Sequence, residues 1–150
     1  MIYALIIVLG VALDQITKYI ITSNLLFGES FSVIPNFFYI THWVNTGAAF
    51  GMMQDRRIFL LLASLIAFVL LIYFFKNTPV KIFRYSIVLV IAGAIGNLID
   101  RVFRGGRVVD FLLFKFGEYN FPAFNVADIL IVCGGILLFI TVIIDSRFKT

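Results

Sequence analysis

The chain has 150 residues, of which 62% are hydrophobic and only 13% are charged. This composition excludes an ordinary soluble domain, since soluble domains carry about 25% charged residues. The net charge of +4 comes from basic residues that are scattered and form no stripe, so nucleic acid is not an expected partner. The length predicts a single integral-membrane domain over residues 1–150.

Four long apolar stretches account for the composition. They cover residues 2–21, 58–75, 82–99 and 126–144. A helix needs about 20 such residues to cross a hydrocarbon core about 30 Å thick. Only helices or closed barrels span lipid, and these stretches lack the alternation of barrel strands. The sequence therefore predicts an all-α membrane protein with four transmembrane helices.

The first apolar stretch contains an acid and a base, Asp14 and Lys18, which are four residues apart. On a helix this spacing places both side chains on one face, in the favourable order for an ion pair. The pair either anchors the helix by neutralising itself or takes a direct part in the chemistry of a site. The stretch lacks the preceding positive region of a secretory signal peptide, so we interpret it as a membrane helix.

The long connection after the first stretch predicts extended structure. Residues 31–45 are rich in aromatic and β-branched residues and are interrupted by a Pro-Asn pair, which indicates short strands joined by a turn. The small residues that follow suit close backbone approach, and a short interfacial helix is expected to continue to Arg57. Together these features predict a small extracytoplasmic β-sheet layer above the helices.

The basic residues favour one orientation in the membrane. The short connection 76–81 and the C-terminal tail are rich in lysine and arginine, which concentrate on the cytoplasmic side. We therefore expect both termini in the cytoplasm and the long connections, 22–57 and 100–125, at the outer face. The long connections also contain arginines, so the count of charges alone leaves the opposite orientation open.

The third apolar stretch ends in the polar residues Asn97, Asp100 and Arg101. Asn97 and Asp100 are three residues apart and hence neighbours on one helical face. Arg101 suits headgroups, a phosphate or a peptide carbonyl. An ordinary charged helix end is an alternative explanation of these residues, but the polar groups just downstream favour a site.

Two aspartates follow in apolar surroundings. Asp110 lies in a strand-like run after two valines, and Asp128 lies at the start of the fourth apolar stretch. A carboxylate at membrane depth is costly and is usually kept for a function. Asn125, three residues before Asp128, suits a helix cap or a hydrogen bond to the carboxylates.

If the two carboxyl groups meet, they cannot both ionise freely and they share one proton. One group then takes a proton from water while the other donates one, which is the chemistry of aspartic proteases. Other nucleophiles have weaker support. His42 lies in the aromatic connection, Cys133 has no basic neighbour in the sequence, and no serine has a Gly-x-Ser-x-Gly setting.

Three alternatives stay open on the residues alone. A magnesium or calcium site would use Asp100, Asp110 and Asp128, although no ligand loop or His/Cys cluster indicates a metal. A small proton-coupled transporter would carry protons on intramembrane carboxylates. A structural membrane subunit would use the charges only for pairing.

The motifs resemble, in order and spacing, those of the lipoprotein signal peptidases, the type II signal peptidases of bacteria. The matching segments are Asp14-Gln15-x-Thr17-Lys18, Asn45-x-Gly47-Ala48-Ala49-Phe50, Gly96-Asn97-x-x-Asp100-Arg101, Val108-Val109-Asp110-Phe111 and Phe124-Asn125-x-Ala127-Asp128. The resemblance covers nearly the whole chain. One departure is Ile129, where many relatives carry a small or hydroxyl residue.

The resemblance implies an aspartyl endopeptidase of the bacterial cytoplasmic membrane, with its active site at the outer face. The implied substrate is a prolipoprotein whose cysteine already carries diacylglycerol, cut on the amino side of that cysteine. Asp110 and Asp128 would be the catalytic dyad. The implied substrate-binding residues are Asn45, Gly47, Asn97, Arg101 and Asn125, and the supporting residues are Asp14, Lys18 and Asp100. Membrane lipids and globomycin-like cyclic peptide inhibitors would be further partners, with no cofactor or metal.

Overall fold

The computed structural model describes residues 1–47 and 57–145. The elements, in chain order, are α1 (Ile2–Asn24), β1 (Ser30–Ile34), β2 (Phe38–Asn45), α2 (Arg57–Asn77), α3 (Lys81–Phe103), β3 (Val108–Phe116), β4 (Tyr119–Asn120) and α4 (Val126–Ile144). The predicted combination of long helices and a small sheet is confirmed. The predicted interfacial helix before Arg57 and the basic tail at 147–149 lie outside the described residues.

Among the described residues, α1, α3 and α4 are long and apolar enough to cross a membrane. The predicted stretch 126–144 matches α4, whereas α1 and α3 continue by about one turn beyond their predicted ends. α2 is a helix of 21 residues. Its apolar part, Leu62–Asn77, is shorter than the other candidate spans, so the fourth crossing stays a prediction.

α3 lies at the centre of the helices and contacts α1, α2 and α4. Half of its most apolar segment is buried, compared with 11% in α1 and 17% in α4. Its buried face supplies most of the apolar core, which includes Phe83, Ile87 and Ile91. The outer faces of the flanking helices are apolar and exposed, which suits helices that pack on α3 and face lipid.

Small residues on α3 allow its neighbours to approach closely. A Cβ atom on Gly93 would overlap the carbonyl oxygen of Ala127 in α4, and one on Gly96 would meet the carboxyl group of Asp14 in α1. Glycine at such positions lets helix backbones come together in membrane proteins. As a result, polar groups of α1 reach the first turn of α4.

The four strands form one antiparallel sheet in the order β1-β2-β3-β4. The strands and turn predicted over 31–45 are confirmed, and Asn36 adopts a positive φ of 59° in that turn. In the β2–β3 register, Trp43 lies opposite Asp110. The far half of β3 is held by stacked aromatic rings, with Phe114 against Phe38 and Phe124.

A glycine turn connects α3 to β3. Gly105 and Gly106 have φ values of 68° and 89°, a region that glycine adopts at little cost. The Gly106 N–H donates to the carbonyl oxygen of Arg101 at 2.8 Å. The chain therefore reverses at once, and β3 begins beside the end of α3.

Candidate active site

Asp110 lies in the first half of β3, where four consecutive residues are buried. Only 2% of its surface is exposed. The strand contacts α1 and α3 on one side and pairs with β2 along its edge. The carboxyl group is thus withdrawn from bulk solvent at the end of the helices.

Asp128 lies in the first turn of α4 and shares a capping box with Asn125. The Asn125 side-chain oxygen accepts the backbone N–H of Asp128 at 2.9 Å, and Asp128 Oδ2 accepts the backbone N–H of Asn125 at 3.2 Å. Such reciprocal bonds satisfy backbone donors that a helix start leaves unpaired. The predicted cap is confirmed, and it fixes the Asp128 carboxylate at the helix end.

Asn125 also reaches the other aspartate. Its Nδ2 group donates to Asp110 Oδ1 at 2.6 Å and also lies 3.2 Å from the carbonyl oxygen of Val109. Asn125 is fully buried, so its position is closely defined. Two carboxyl groups from separate segments therefore converge on one asparagine.

Lys18 lies beneath this pair with no exposed surface. The predicted bond between Lys18 and Asp14 is confirmed at 2.9 Å, and a second carboxylate, Asp100, lies 3.0 Å from the same Nζ atom. Buried charges are stable only when paired and hydrogen-bonded. Asp100 has a second cationic partner, since Arg104 Nε lies 3.1 Å from Asp100 Oδ1.

The two carboxylates beside Lys18 each hold a backbone N–H next to one aspartate of the pair. Asp14 Oδ1 accepts the N–H of Ala127 at 2.9 Å, directly before Asp128. Asp100 Oδ2 accepts the N–H of Val109 at 3.1 Å, directly before Asp110. One buried ionic cluster thereby positions both segments.

Asn97 joins the cluster to the pair. Its Oδ1 accepts from Lys18 Nζ at 3.1 Å, and its Nδ2 donates to Asp128 Oδ1 at 2.8 Å. The neighbouring Asn125 Nδ2 lies 3.2 Å from the same Asn97 oxygen. Asn97, Asn125, Lys18 and the carboxylates thus form one connected hydrogen-bond network.

Arg101 borders the network with weakly engaged donors. Its terminal nitrogens lie 3.4 Å from the carbonyl oxygen of Asn97 and 3.5 Å from that of Gly47. Its buried Nε atom has no hydrogen-bond partner among the described residues. A buried guanidinium N–H without a partner in the described residues is suited to donate to an acceptor on a bound molecule.

Asn45 and Gly47 approach the site from the end of β2. The Asn45 side-chain oxygen accepts the Gly47 N–H at 2.8 Å. The Asn45 side chain also forms a hydrogen bond with Asp110. The rest of this motif, residues 48–50, lies outside the described residues. Every site residue predicted from the sequence therefore lies in or beside one cluster, although their roles stay predictions.

Burial raises the pKa of Asp110 to about 7, and the charge of the neighbouring Asp128 acts in the same direction. Hydrogen bonds from Asn125 and Asn45 lower the pKa of Asp110, and so does the charge of Lys18. A carboxyl group with this pKa carries a proton for much of the time at neutral pH. It can therefore donate a proton where an ordinary aspartate cannot.

Two contributors to the cluster were missing from the predicted site. Gln15 Nε2 lies 3.0 Å from Asp14 Oδ2 and 3.1 Å from the Gly96 carbonyl oxygen, and it links α1 to α3. Arg104 follows Asp100 by four residues, and this is the same acid-before-base spacing that identified Asp14 and Lys18. That spacing rule was sufficient to find Arg104, whereas Gln15 was part of the Asp14-Gln15-x-Thr17-Lys18 motif but was given no role.

The other candidate nucleophiles take no part in the cluster. The His42 ring nitrogen Nδ1 lies 2.8 Å from the Leu25 carbonyl oxygen, where it ties β2 to the end of α1. Cys133 is exposed on α4. Within the described ranges, no group of three His, Cys, Asp or Glu side chains has the arrangement of a metal site.

Comparison with known proteins agrees with these motifs. The family model for signal peptidase (SPase) II matches residues 6–144. The chain belongs to the signal peptidase II family. Similar members are the lipoprotein signal peptidases of Bacillus pumilus (strain SAFR-032), 41% identical over 149 residues, and Clostridium tetani (strain Massachusetts / E88), 42% identical over 148 residues. The alignments cover 98% and 97% of this chain and 96% and 94% of those relatives.

Solved structures of bacterial membrane enzymes share the fold. One, determined by the in meso method, has a TM-score of 0.89 at 40% identity, and the match covers 99% of this chain and 91% of the chain in that structure. Another has a TM-score of 0.85 at 41% identity, and the match covers 95% of this chain and 93% of the chain in that structure. As a signal peptidase II family member, the chain is a peptidase, and its apolar helices identify it as a membrane protein. The resemblance seen in the motifs is confirmed.

Proposed function

We propose that the chain is a membrane aspartyl endopeptidase that cleaves the signal peptide from prolipoproteins whose cysteine carries diacylglycerol. The cut falls on the amino side of that cysteine. Family membership supports the substrate class, since the similar proteins are named lipoprotein signal peptidases. The observation that carries the catalytic assignment is the convergence of Asp110 and Asp128 on Asn125.

Asp110 and Asp128 act in this proposal as one pair that shares a proton. The pKa of Asp110, raised to about 7, supports a singly protonated pair at neutral pH. The ionised carboxylate takes a proton from water as the water oxygen attacks the peptide carbonyl carbon, and the protonated carboxyl donates to the carbonyl oxygen. The C–N bond of the gem-diol then breaks as the leaving nitrogen takes the proton that the base had accepted, and one hydroxyl of the gem-diol gives its proton to the other carboxylate, which restores the singly protonated pair.

Arg101 and the asparagines would hold the peptide. Arg101 Nε, which has no partner in the part of the chain that the structure describes, and the two weakly held terminal nitrogens offer donors for a peptide carbonyl beside the pair. Asn45 and Gly47 border the same space from β2. Asn97 and Asn125 orient the carboxylates that face the scissile bond. Globomycin-like cyclic peptides, which present carbonyl groups on a ring, are expected to compete for these donors.

Four crossings of the membrane fit this function. The 21 residues of α2 are about 31 Å long as a helix, close to the thickness of the hydrocarbon core. α3 ends and α4 begins beside the pair, opposite the short basic connection between α2 and α3. Basic connections favour the cytoplasm, which supports cytoplasmic termini and a site at the outer face, where lipids would hold the acyl chains of the substrate.

The position of the carboxyl groups favours hydrolysis over proton transport. Asp128 is the third residue of α4, and Asp110 lies on a strand beyond the end of α3. A proton-coupled transporter needs carboxylates along a path through the bilayer. Proton flux in liposomes is the measurement that would favour the transporter.

The test uses purified protein and a synthetic peptide with a diacylglyceryl-modified cysteine. Asp110→Asn and Asp128→Asn are each expected to lower kcat/KM at least about 10³-fold, because each removes one of the two proton-transfer groups. Glu118→Gln, an exposed acid in the β3–β4 turn, is the matched control and should leave cleavage unchanged. Turnover retained by either aspartate variant would contradict the dyad.

A further inference from the structure

Lys18 contacts more than the carboxylates that balance its charge. An ammonium group has three N–H donors. The three contacts of Lys18 Nζ, with Asp14 at 2.9 Å, Asp100 at 3.0 Å and Asn97 at 3.1 Å, use all of them. The third contact is to a neutral amide that bonds Asp128, so it contributes something other than charge balance.

This third contact decides which way round the Asn97 amide points. The amide oxygen only accepts hydrogen bonds and the amide nitrogen only donates them. The Lys18 ammonium and the Asn125 Nδ2 group are both donors, and both face Asn97 Oδ1. Asn97 Nδ2 must therefore face Asp128, to which it donates at 2.8 Å.

Asp128 is thereby held as an acceptor at both oxygens. Oδ1 accepts from Asn97 and Oδ2 from the backbone of Asn125. Hydrogen bonds of this kind favour the ionised form of a carboxyl group. A reversed Asn97 amide would present its oxygen to Asp128 and favour the protonated form instead.

We propose that Lys18 is a positioning residue that sets where the shared proton rests. Acting through the Asn97 amide, it keeps Asp128 ionised as the base that takes a proton from water, and it leaves the proton on Asp110. This inference rests on the proposed function, which by itself leaves the base unassigned.

Other charged groups also surround Asp128. They are Asp14 on α1, Arg101 on α3 and Asp110 on β3. The acids among them disfavour a further negative charge, and Arg101 favours it. Lys18 differs from all of these in bonding the side-chain amide of Asn97, which in turn donates to Asp128.

Removing Lys18 alone would leave buried carboxylates unbalanced, so the test variant removes one charge of each sign. Asp14→Asn combined with Lys18→Met keeps the net charge of the cluster and removes the donor to Asn97. Asp14→Asn alone is the matched control. Asp14→Asn with Lys18→Gln restores an uncharged donor and separates the orientation of the amide from the charge of the lysine.

The first readout is the pH dependence of kcat/KM with the lipidated peptide. When Asp14→Asn is combined with Lys18→Met, the pH below which cleavage is lost should rise by about 1 unit, because the base protonates more easily. Asp14→Asn alone should not raise this pH, because Asp14 is one of the acids that disfavour a negative charge on Asp128. The Lys18→Gln combination should raise it less than the Lys18→Met combination. Asn97→Leu should give the same rise, with no further rise when combined with the Lys18 change. An unmoved acid limb, or additive shifts, would overturn the inference.

The second readout does not depend on cleavage. In an Asp110→Asn background, Asp128 is the remaining acid of the pair, and infrared spectroscopy follows the C=O band of its protonated form with pH. Adding the Asp14→Asn and Lys18→Met changes, or Asn97→Leu if that combination does not fold, should raise the midpoint by about 1 unit. An unchanged midpoint would refute the action of Lys18 on Asp128. Failure of the unmodified protein to cleave the peptide would instead refute the proposed function.

Discussion

Asp14 and Ala127 are 113 residues apart in the chain, yet Asp14 Oδ1 accepts the Ala127 backbone N–H at 2.9 Å. The first helix thus caps the start of the last one, directly before Asp128. Because Asp14 is fully buried and paired with Lys18, this contact links the stability of the helices to the geometry of the site.

Asp14→Ala is expected to lower the free energy of unfolding by about 3–5 kcal/mol, since it removes a partner from a buried ion pair. It also leaves the Ala127 N–H without its acceptor. Asp14→Asn retains an amide oxygen for that N–H and should cost less. Thermal or denaturant unfolding in detergent micelles measures both.

Arg104→Met is the control for this prediction. Arg104 pairs with Asp100 but its side chain is 34% exposed, so its loss should cost about 1 kcal/mol or less. A loss equal to that of Asp14→Ala would show that burial does not govern the contribution of these charges.

Gly93→Ala should separate α3 from α4, because a Cβ atom there would overlap the Ala127 carbonyl oxygen and lie 2.8 Å from Ile131 Cγ1. We expect a loss of about 1–3 kcal/mol in unfolding free energy and a lower kcat, since Ala127 precedes Asp128. Gly135→Ala is the matched control. Among the described residues, a Cβ atom at Gly135 has nothing within 4 Å, and alanine stabilises a helix by up to about 1 kcal/mol relative to glycine. Equal effects of the two variants would contradict the packing argument.

Cleavage is expected to decline as the pH rises above about 7, because Asp110, whose pKa is raised to about 7, then loses the proton it donates. Asn45→Ala removes a hydrogen bond that lowers the pKa of Asp110. The alkaline limb of kcat/KM should therefore move to higher pH in this variant. An alkaline limb that stays in place or moves to lower pH would argue against Asp110 as the acid.

The same carboxyl group makes stability depend on pH. Its pKa rises from the ordinary value of 3.8 to about 7 on folding, so the folded protein binds the proton more tightly between these values. The contribution of Asp110 to stability is thus greatest below about pH 3.8, falls as the pH rises to about 7 and is constant above it. The Asp110→Asn variant should not show this decline in the free energy of unfolding. If the free energies of the variant and the unmodified protein change in parallel between about pH 3.8 and 7, the prediction is wrong.

EDTA is expected to leave cleavage intact. Asp100, which a metal site would have to use, already receives Lys18 at 3.0 Å, Arg104 at 3.1 Å and the Val109 N–H at 3.1 Å. A carboxylate neutralised by two cations is a poor ligand for Mg²⁺. Peptide cleavage is measured before and after chelation, and inhibition that added Mg²⁺ reverses would support the metal alternative instead.

The sequence by itself determined the features that depend on neighbouring residues. Helix positions follow from the length and apolarity of each stretch, the Asp14–Lys18 pair from a spacing of four, and the Asn125 cap from its place before α4. The motifs were also sufficient to identify the family, because their order and spacing are written in the chain.

Only the tertiary structure decided how these local features meet. The sequence did not indicate that Asp100 is the second carboxylate on Lys18, that Asp14 holds Ala127, or which way the Asn97 amide points. These contacts depend on how each helix is rotated about its axis and on how closely the glycines of α3 let its neighbours approach. Such rotations are set by packing across the whole bundle, since a hydrogen bond between residues 113 positions apart has no counterpart in local sequence.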